Sequence, residues 1–350
     1  LYQGFGYLHF KMSKFEEYDL YARNKDFLVS DRIITFAGSD GKLLALKPDV
    51  TLSIIKNTRD AEGLSKLYYN ENVYRVSSGT HTFREIMQTG LECIGNIDTY
   101  SVCEGITLAE ESLRLIDENC ILAISHMGFI SGLFEECGFD EVEAKEALGY
   151  ISSKNAHALA EMAKKANASE KLCEALDFAA RFYGRLDKAL DCMKEFCFNE
   201  KISGAYKELW EVSEAIEGKT LYADFSLVND MNYYNGIIFK GYIDGIADSI
   251  LSGGRYDSLV HKMGKKSGAI GFAVYLDLLE RFETTEKEYD VDTLLLYEDG
   301  VDTAALAKAA QMLTDNGQSV LVQKKNTGNV KYKQLLCMKD RGLEIVAELD

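Results

Sequence analysis

A block of helical sequence divides this 350-residue chain and constrains its fold more than any other feature. Between residues 127 and 217, Ala, Glu, Lys and Leu dominate, Gly is sparse, and apolar residues recur three and four positions apart. This spacing is typical of amphipathic helices, whereas the flanking regions, 1–126 and 218–283, contain short runs of strand-forming residues. The sequence therefore predicts a β-containing core that is interrupted by a helical insert.

The end of the chain has a different pattern. A highly charged stretch at 284–290 is typical of a linker, and strand-like and helix-like runs alternate from 291 to 350. That alternation predicts a small α/β domain.

Composition and charge argue against several classes of function. The formal net charge of −17 and the pI near 4.9 disfavour a nucleic-acid partner, because an acidic surface repels phosphate backbones. The eight cysteines include no CxxC pair and no Cys/His pair at zinc spacing, so we expect reduced thiols and no metal site.

No apolar run reaches the roughly 18 residues that span a bilayer, and no basic-then-apolar leader opens the sequence. We therefore expect a cytoplasmic protein with no membrane partner, and nothing in the sequence requires a cofactor.

The segment LKPDVTLSI (46–54) carries two candidate ligand-binding residues. Asp49 and Thr51 lie two positions apart around a turn that is stiffened by the single proline of the chain. Taken alone, this pattern is more typical of a surface turn than of a site.

The predicted strand at 87–95 carries a second set of candidates. Gln88, Gly90 and Glu92 occupy alternate positions and therefore share one face of the strand. A polar face that combines an amide, a carboxylate and a glycine favours a binding site over an exposed strand.

The stretch SLVNDMNYYNGIIFKGY (226–242) predicts a strand edge or hairpin around a pocket. Neighbouring side chains on a strand point to opposite faces, so only one of Tyr233 and Tyr234 is expected to enter the core. The next motif, SGGRYDSLV (252–260), is as consistent with a tight turn as with a site.

Taken in order, these segments resemble the core of the class II aminoacyl-tRNA synthetases, specifically the histidyl branch. LKPDVT is similar to the Leu-Arg-Pro-Glu-Gly-Thr element of that family, residues 74–95 to its second motif, NYYNGIIF and SGGRYDSLV to its histidine-specific motifs, GAIGFAVYLDLLERF to its third motif, and residues 1–30 to its first, dimer-forming motif. The resemblance implies an α+β fold with an antiparallel sheet flanked by helices. Residues 291–350 resemble a shortened anticodon-binding domain.

The resemblance also implies a histidine-binding site. The positions that match the amino-acid pocket of the family are Asp49, Thr51, Gln88, Glu92 and Tyr234, with Arg84 and Tyr233 as neighbouring candidates. Carboxylates and the Gln carbonyl accept hydrogen bonds from an ammonium, and a carboxylate and a phenol together hold the two nitrogens of an imidazole.

Four positions depart from the family on its ATP side. Asn229 stands where an arginine acts at the reacting phosphate, Ser77 stands where a glutamate recognises adenine, and Tyr275 and Leu278 replace the glycine and the arginine of the third motif. Adenylate formation needs cations that neutralise the triphosphate. We therefore expect no catalytic residues and no enzymatic activity of the chain by itself.

A histidyl-synthetase-like body without adenylation chemistry resembles the regulatory subunits of ATP phosphoribosyltransferase. That resemblance implies a non-catalytic protein that supports a short catalytic subunit in the first step of histidine biosynthesis, together with its feedback inhibition by histidine. It also implies a homodimer through the first motif within a hetero-oligomer. Two alternatives remain open: a histidine–tRNA ligase in which Arg281 and Arg84 replace the missing arginines, and a free-standing histidine-binding paralogue.

Overall fold

The computed structural model divides the chain into two compact units, Leu1–Arg281 and Phe282–Asp350. It describes residues 1–25, 28, 33–60, 63–76, 82–216, 220–228, 233–281, 289–339 and 342–348. Most of the predicted linker at 284–290 therefore lies outside the described residues, and the predicted division of the first unit into core and insert stays a prediction.

The first unit contains both helices and strands. Its α-helices are α1 (Tyr18–Ala22), α2 (Thr51–Asn57), α3 (Thr99–Arg114), α4 (Met127–Cys137), α5 (Glu141–Ser152), α6 (Ala156–Lys165), α7 (Glu170–Arg181), α8 (Leu186–Met193), α9 (Glu200–Ala215) and α10 (Asp257–Lys262). Its strands are β1 (Leu8–His9), β2 (Phe15–Glu17), β3 (Thr35–Ala37), β4 (Leu43–Leu46), β5 (Ser65–Val76), β6 (Phe83–Gly95), β7 (Cys120–His126), β8 (Tyr183–Arg185), β9 (Tyr222–Asp224), β10 (Ile237–Ile243), β11 (Leu251–Arg255) and β12 (Gly268–Tyr275). Short 3-10 helices cover Tyr2–Phe5, Lys194–Phe196 and Leu276–Arg281.

A mostly antiparallel sheet forms the centre of this unit. Among the described residues it has nine strands, in the order β1-β5-β6-β12-β11-β10-β7-β9-β8. Within the described part of this sheet, the pairs β1–β5 and β7–β9 are parallel and the others antiparallel. The predicted α+β class with a helix-flanked antiparallel sheet is confirmed.

The long β5–β6 hairpin places the polar face of β6 at the middle of the sheet. Glu92 lies between Leu67 on β5 and Gly271 on β12, and Gln88 lies between Glu71 and Tyr275. Both polar side chains are therefore flanked by strands on each side and cannot lie at a sheet edge.

The helices α4 to α9 occupy the region where helical composition was noted, but that region is not wholly helical. The short strand β8 interrupts it and pairs with β9 at the edge of the large sheet.

Local sequence explains where individual helices begin. Asp140, for example, caps α5 by accepting hydrogen bonds from the backbone amides of Val142 and Glu143, and the Glu143 side chain accepts one from the amide of Asp140.

Glycines make room for large side chains at the centre of the sheet. A Cβ atom on Gly90 would lie 2.6 Å from the Tyr69 hydroxyl, and one on Gly271 would lie 1.8 Å from Oε2 of Glu92. A Cβ atom on Gly254 would lie 2.8 Å from the ring of Tyr234. The absence of side chains at these positions allows aromatic rings and a carboxyl group to pack directly on the strands.

The second unit is a small α/β structure, as its alternating pattern indicated. It contains β13 (Val291–Tyr297), α11 (Thr303–Asp315), β14 (Val320–Gln323), β15 (Tyr332–Lys339) and β16 (Gly342–Glu348), and the sheet order is β14-β13-β15-β16. Apolar residues of α11 pack on a core that contains Leu295, Leu336 and Met338.

The close packing at Gly271 generates a test of the fold. In Gly271→Ala we expect the free energy of unfolding to fall by about 1–3 kcal/mol, because a side chain forced into a filled core displaces its neighbours. Gly149→Ala in α5 is the matched control, since an added Cβ there meets no atom within 4 Å. It should raise the free energy of unfolding by about 0.5–1 kcal/mol. Urea denaturation of the full chain measures both, and an unchanged midpoint for Gly271→Ala would contradict the packing described.

Candidate functional site

A cavity of about 300 Å³ lies over the centre of the large sheet. Its lining comes from β5, β6, β11 and β12, from residues 49–51 at the start of α2, from the loop before β10, from Tyr256 after β11 and from Leu28 between α1 and β3. The lining residues are Leu28, Asp49, Val50, Thr51, Tyr69, Arg75, Gln88, Glu92, Tyr233, Tyr234, Ser252, Tyr256, Gly271, Phe272, Ala273 and Tyr275.

Glu92 is the central polar group of this cavity. It is 2% exposed, and its Oε1 accepts a hydrogen bond of 2.6 Å from the Thr51 hydroxyl. Its Oε2 accepts a second hydrogen bond from the Tyr256 hydroxyl. Burial raises the pKa of the Glu92 carboxyl to about 8, although both hydroxyl hydrogen bonds oppose the shift, and the nearby charge of Asp49 adds to it.

Asp49 is a second carboxyl group at the same cavity. Its Oδ1 accepts a hydrogen bond of 2.9 Å from the backbone amide of Leu52 in the first turn of α2. Burial raises the pKa of this carboxyl, while the Leu52 amide and the charge of Arg75 oppose the increase. Arg75 itself donates a hydrogen bond of 2.9 Å from Nε to the carbonyl oxygen of Pro48.

Gln88 presents an unused hydrogen-bond donor. Its side chain is 3% exposed, and its Nε2 has no hydrogen-bond partner among the described residues. Leaving a buried amide unpaired costs about 1–3 kcal/mol. Such a group in a cavity indicates a position where a ligand or water supplies the acceptor.

Tyrosines form much of the remaining wall. Burial raises the pKa values of Tyr69, Tyr233, Tyr234 and Tyr256 well above their usual range, so these phenols are neutral hydrogen-bonding groups at physiological pH. Tyr233 and Tyr234 lie in the loop before β10, with their rings 4.5 Å apart at an interplanar angle of 64°. Of the two, only Tyr234 belongs to the buried core, as expected, whereas Tyr233 is partly buried against it. The reason is not strand alternation, because both precede β10 and both line the cavity.

Six of the seven sequence-derived candidates lie together at the cavity: Asp49, Thr51, Gln88, Glu92, Tyr233 and Tyr234. Arg84 is not among the lining residues. It is exposed in the outer part of the β5–β6 hairpin, opposite Arg75 in the strand register.

The four positions that depart from the synthetase family on its ATP side lie in different places. Ser77 and Asn229 lie outside the described residues. Tyr275 ends β12 and lines the cavity, with its hydroxyl 3.3 Å from that of Ser252. Leu278 lies in the 3-10 helix after β12 and packs on the main hydrophobic core.

Sequence reasoning missed several residues of this site. Tyr69, Tyr256, Ser252 and Arg75 line the cavity but were not selected as ligand-binding candidates. The signal for Tyr256 was present in SGGRYDSLV, where a turn and a site could not be separated. For Tyr69 the signal is weaker, because its contact with the site depends on Gly90, which lies opposite on β6.

The arrangement is suited to binding a small polar cation. It combines the buried carboxyl group of Glu92, the half-buried one of Asp49, several neutral phenols and an amide that lacks an acceptor. The described residues contain no group of three or more His, Cys, Asp or Glu side chains that could hold a metal ion. In the described part of the chain, every helix is too short or too polar to cross a membrane.

Known proteins resemble this chain over most of its length. The family model for histidyl-tRNA synthetase matches residues 1–279. A protein of Clostridium kluyveri named ATP phosphoribosyltransferase regulatory subunit is 30% identical over 334 residues, which cover 91% of this chain and 85% of the relative.

Two solved structures have the same fold. One is an ATP phosphoribosyltransferase regulatory subunit/histidyl-tRNA synthetase from Bacillus halodurans, with a TM-score of 0.74 and 24% identity over 96% of this chain and 90% of that one. The other is a chain of the ATP phosphoribosyl transferase complex from Thermotoga maritima, with a TM-score of 0.61 and 17% identity over 78% of this chain and 93% of that one.

The unpaired amide of Gln88 generates a stability test. In Gln88→Met we expect the free energy of unfolding of the ligand-free protein to rise by about 1 kcal/mol, because an apolar side chain of similar length removes the unpaired donor. Gln311→Met on the exposed surface of α11 is the control and should change stability by less than about 0.5 kcal/mol. Urea denaturation measures both variants. A loss of stability in Gln88→Met would show that the amide already has a partner.

The pKa of Glu92 generates a pH test. The unfolded chain binds this proton up to its ordinary value of 4.5, whereas the folded chain binds it up to about 8. Glu92 therefore contributes fully to the free energy of unfolding below its unfolded-state pKa of 4.5. This contribution decreases as pH rises toward the folded-state pKa of about 8.

Glu92→Gln should remove this decrease, so the stability of the variant relative to the wild type should increase from about pH 5 to pH 8. Thermal unfolding across that range measures the difference. The control is Glu85→Gln on the exposed part of the same strand, where hydrogen bonds from Asn72 and Tyr74 lower the carboxyl pKa. A constant difference between Glu92→Gln and the wild type would contradict the assignment.

Proposed function

Since the chain belongs to the histidyl-tRNA synthetase family and, within it, to the regulatory subunits of ATP phosphoribosyltransferase, we propose that it assembles with the short catalytic subunit of that enzyme. In the complex it supports the first step of histidine biosynthesis and transmits feedback inhibition by histidine. The names of the relatives and the shared fold support this role.

The observation that carries the histidine-sensing part of the proposal is the convergence of six candidates on one buried cavity. A volume of about 300 Å³ accommodates a free amino acid. The groups also match the chemistry of histidine. The ammonium meets Asp49 or Glu92, and the imidazole nitrogens meet a carboxyl group and a phenol, since both are able to pair with ring nitrogens.

The charge of the cavity supports a non-catalytic role. Among the described lining residues Arg75 is the basic side chain, and its Nε is directed to a backbone carbonyl. Adenylate formation requires several cations around the triphosphate. A cavity whose ionisable lining consists mainly of carboxyl groups and phenols favours binding of an amino acid over reaction with ATP.

The surface charge supports the same conclusion. A ligase must attract the phosphate backbone of its tRNA, whereas this chain carries a formal net charge of −17. The second unit, although similar to a shortened anticodon-binding domain, is therefore proposed to have a structural role with no RNA ligand.

A homodimer through residues 1–30 within the hetero-oligomer is also part of the proposal. Leu8 is 70% exposed on β1 at the edge of the large sheet. An apolar side chain on an uncovered strand edge is the kind of surface that a second chain covers.

Reconstitution of the enzyme tests the regulatory role. The chain is titrated into the short catalytic subunit of the same organism, and condensation of ATP with phosphoribosyl pyrophosphate is measured with and without histidine. We expect turnover to increase with added chain and histidine to inhibit the complex. Histidine inhibition of the isolated catalytic subunit, unchanged by the added chain, would contradict the proposal.

Two variants test whether histidine is sensed at the cavity. In Glu92→Gln, the histidine concentration for half-inhibition should rise at least about tenfold, because a hydrogen bond to a charged group contributes about 1.5–3 kcal/mol. Glu85→Gln is the matched control, since Glu85 is exposed on the same strand and accepts hydrogen bonds from Asn72 and Tyr74. Equal effects of the two substitutions would place the histidine site elsewhere.

Histidine-dependent exchange of pyrophosphate into ATP tests the ligase alternative. The proposed function expects no exchange by the isolated chain. Measurable exchange that is lost in Glu92→Gln would identify an active adenylating enzyme and overturn the proposal.

A further inference from the structure

Glu208 on α9 bridges two parts of the protein with its two carboxyl oxygens. Its Oε2 lies 2.8 Å from Nε2 of His126, at the end of β7, and its Oε1 lies 3.5 Å from Nη1 of Arg255, at the end of β11. The backbone amide of Gly128 donates to Nδ1 of His126 at 3.0 Å, so Nε2 of this ring carries the proton and donates to Glu208. Because His126 is 5% exposed and caps α4, the first contact anchors Glu208 and leaves its other oxygen for Arg255.

Arg255 belongs to a group of hydrogen bonds that joins the loop before β10 to the end of β11. Its Nε donates to Oδ2 of Asp257 at 2.9 Å, and its backbone carbonyl accepts from the amide of Asn235 at 3.1 Å. The Asn235 side chain in turn accepts from the amide of Asp257 at 3.0 Å. The stem of Arg255 lies against Gly236, where an added Cβ would lie 3.1 Å from Cδ of the arginine. Backbone and side chains therefore hold the two segments together.

Each of these joined segments carries a tyrosine of the cavity wall. Tyr234 comes directly before Asn235, and Tyr256 comes directly after Arg255. Both tyrosines line the cavity, and the Tyr256 hydroxyl donates to the buried carboxyl group of Glu92. A shift of either segment therefore moves a ring that borders the space for the ligand.

We propose that Glu208 is a positioning residue for the histidine cavity, and that α9 is thereby part of the histidine sensor. Glu208 acts through Arg255 on the two segments that carry Tyr234 and Tyr256. This inference rests on the proposed function, since it assigns a further residue and a further helix to the sensing of histidine at the same cavity.

The charge of Glu208 keeps the arginine in place. The side chains of Glu208 and Arg255 are 22% and 27% exposed, so water replaces only part of their interaction when the carboxylate is removed. Without that carboxylate the guanidinium loses its partner on α9 and turns toward solvent. Since the stem of Arg255 packs on Gly236, this turn also loosens the loop that carries Tyr234.

The coupling between α9 and the cavity works in both directions. If the contact of Glu208 with Arg255 strengthens histidine binding, bound histidine must strengthen that contact by the same factor. Histidine therefore holds α9 more firmly on the sheet, although α9 contributes no residue to the lining of the cavity.

Histidine affinity of the full chain, measured by titration calorimetry, tests the role of Glu208. In Glu208→Gln we expect the dissociation constant to rise about three- to tenfold, because one amide oxygen replaces a carboxylate that served two donors. Glu211→Gln is the matched control, since Glu211 also attaches α9, by accepting a hydrogen bond of 2.9 Å from the Thr99 hydroxyl on α3. It should change the constant by less than about twofold. Equal losses in both variants would show that any loosening of α9 suffices, and would overturn the specific role of Glu208.

A double-mutant cycle tests the route through Arg255. Arg255→Lys removes the planar fork that reaches Glu208 and Asp257 together. If Glu208 acts through this arginine, the combined variant should bind histidine no more weakly than Arg255→Lys alone. Losses that multiply in the combined variant would overturn this route.

Hydrogen exchange in the wild type tests the reciprocal effect and needs no variant. Saturating histidine should slow the exchange of backbone amides in α9 as well as in β6, because binding stabilises the attachment of the helix. In Glu208→Gln at saturating histidine, the slowing in β6 should persist and that in α9 should disappear. Slower exchange in β6 with no change in α9 of the wild type would overturn the coupling.

The failure of this inference and that of the proposed function give different results. If wild type and Glu208→Gln bind histidine with equal affinity, the positioning role is overturned and the sensing function stays intact. A wild-type chain that binds no histidine, alone or with its catalytic subunit, overturns the sensing function and this inference together.

Discussion

A carboxyl group buried at the middle of a β-sheet must be surrounded by hydrogen-bond donors, and this requirement organises the centre of the protein. Glu92 on β6 meets that requirement through Thr51 from α2 and Tyr256 from the end of β11. Gly271, opposite on β12, leaves the space that the carboxyl group fills. Segments more than 150 positions apart in the sequence therefore converge on one side chain, and the cavity is the space between them.

A network of hydrogen bonds and ion pairs begins beside the wall of the cavity and reaches α9. Asn235 follows the two adjacent tyrosines of the wall, and its Oδ1 accepts a hydrogen bond of 3.0 Å from the Asp257 amide. Arg255 donates from Nε to Asp257 at 2.9 Å and contacts Glu208 on α9. Glu208 in turn pairs with His126 at 2.8 Å. Tyr256, which lies between Arg255 and Asp257, lines the cavity. The same short segment therefore contributes to the site and contacts α9.

Local patterns predicted the candidate site wherever the backbone was regular. Gln88 and Glu92 were identified because alternation along a strand places them on one face, and β6 is such a strand. The same rule does not apply to Tyr233 and Tyr234, because these residues precede β10. Only Tyr234 of the two enters the core, as expected, but both line the cavity. Tyr256 was not selected, because a Gly-Gly-Arg turn has the same local signature whether or not the next side chain enters a cavity. Arg84, although close to the site in sequence, lies in the outer part of the hairpin, where the twist and length of the strands set its position.

The sequence by itself determined the α+β class, the helical region between the two β-containing parts, and most of the polar groups at the site, because these depend on periodicity and residue type over short distances. Only the tertiary structure decided that two carboxyl groups share one cavity, that an amide there lacks an acceptor, and that no cation meets Glu92 among the described residues. The physical reason is that burial and charge proximity are properties of the packed chain. The ordinary pKa of a glutamate belongs to its residue type, whereas its increase to about 8 belongs to the surroundings that folding creates.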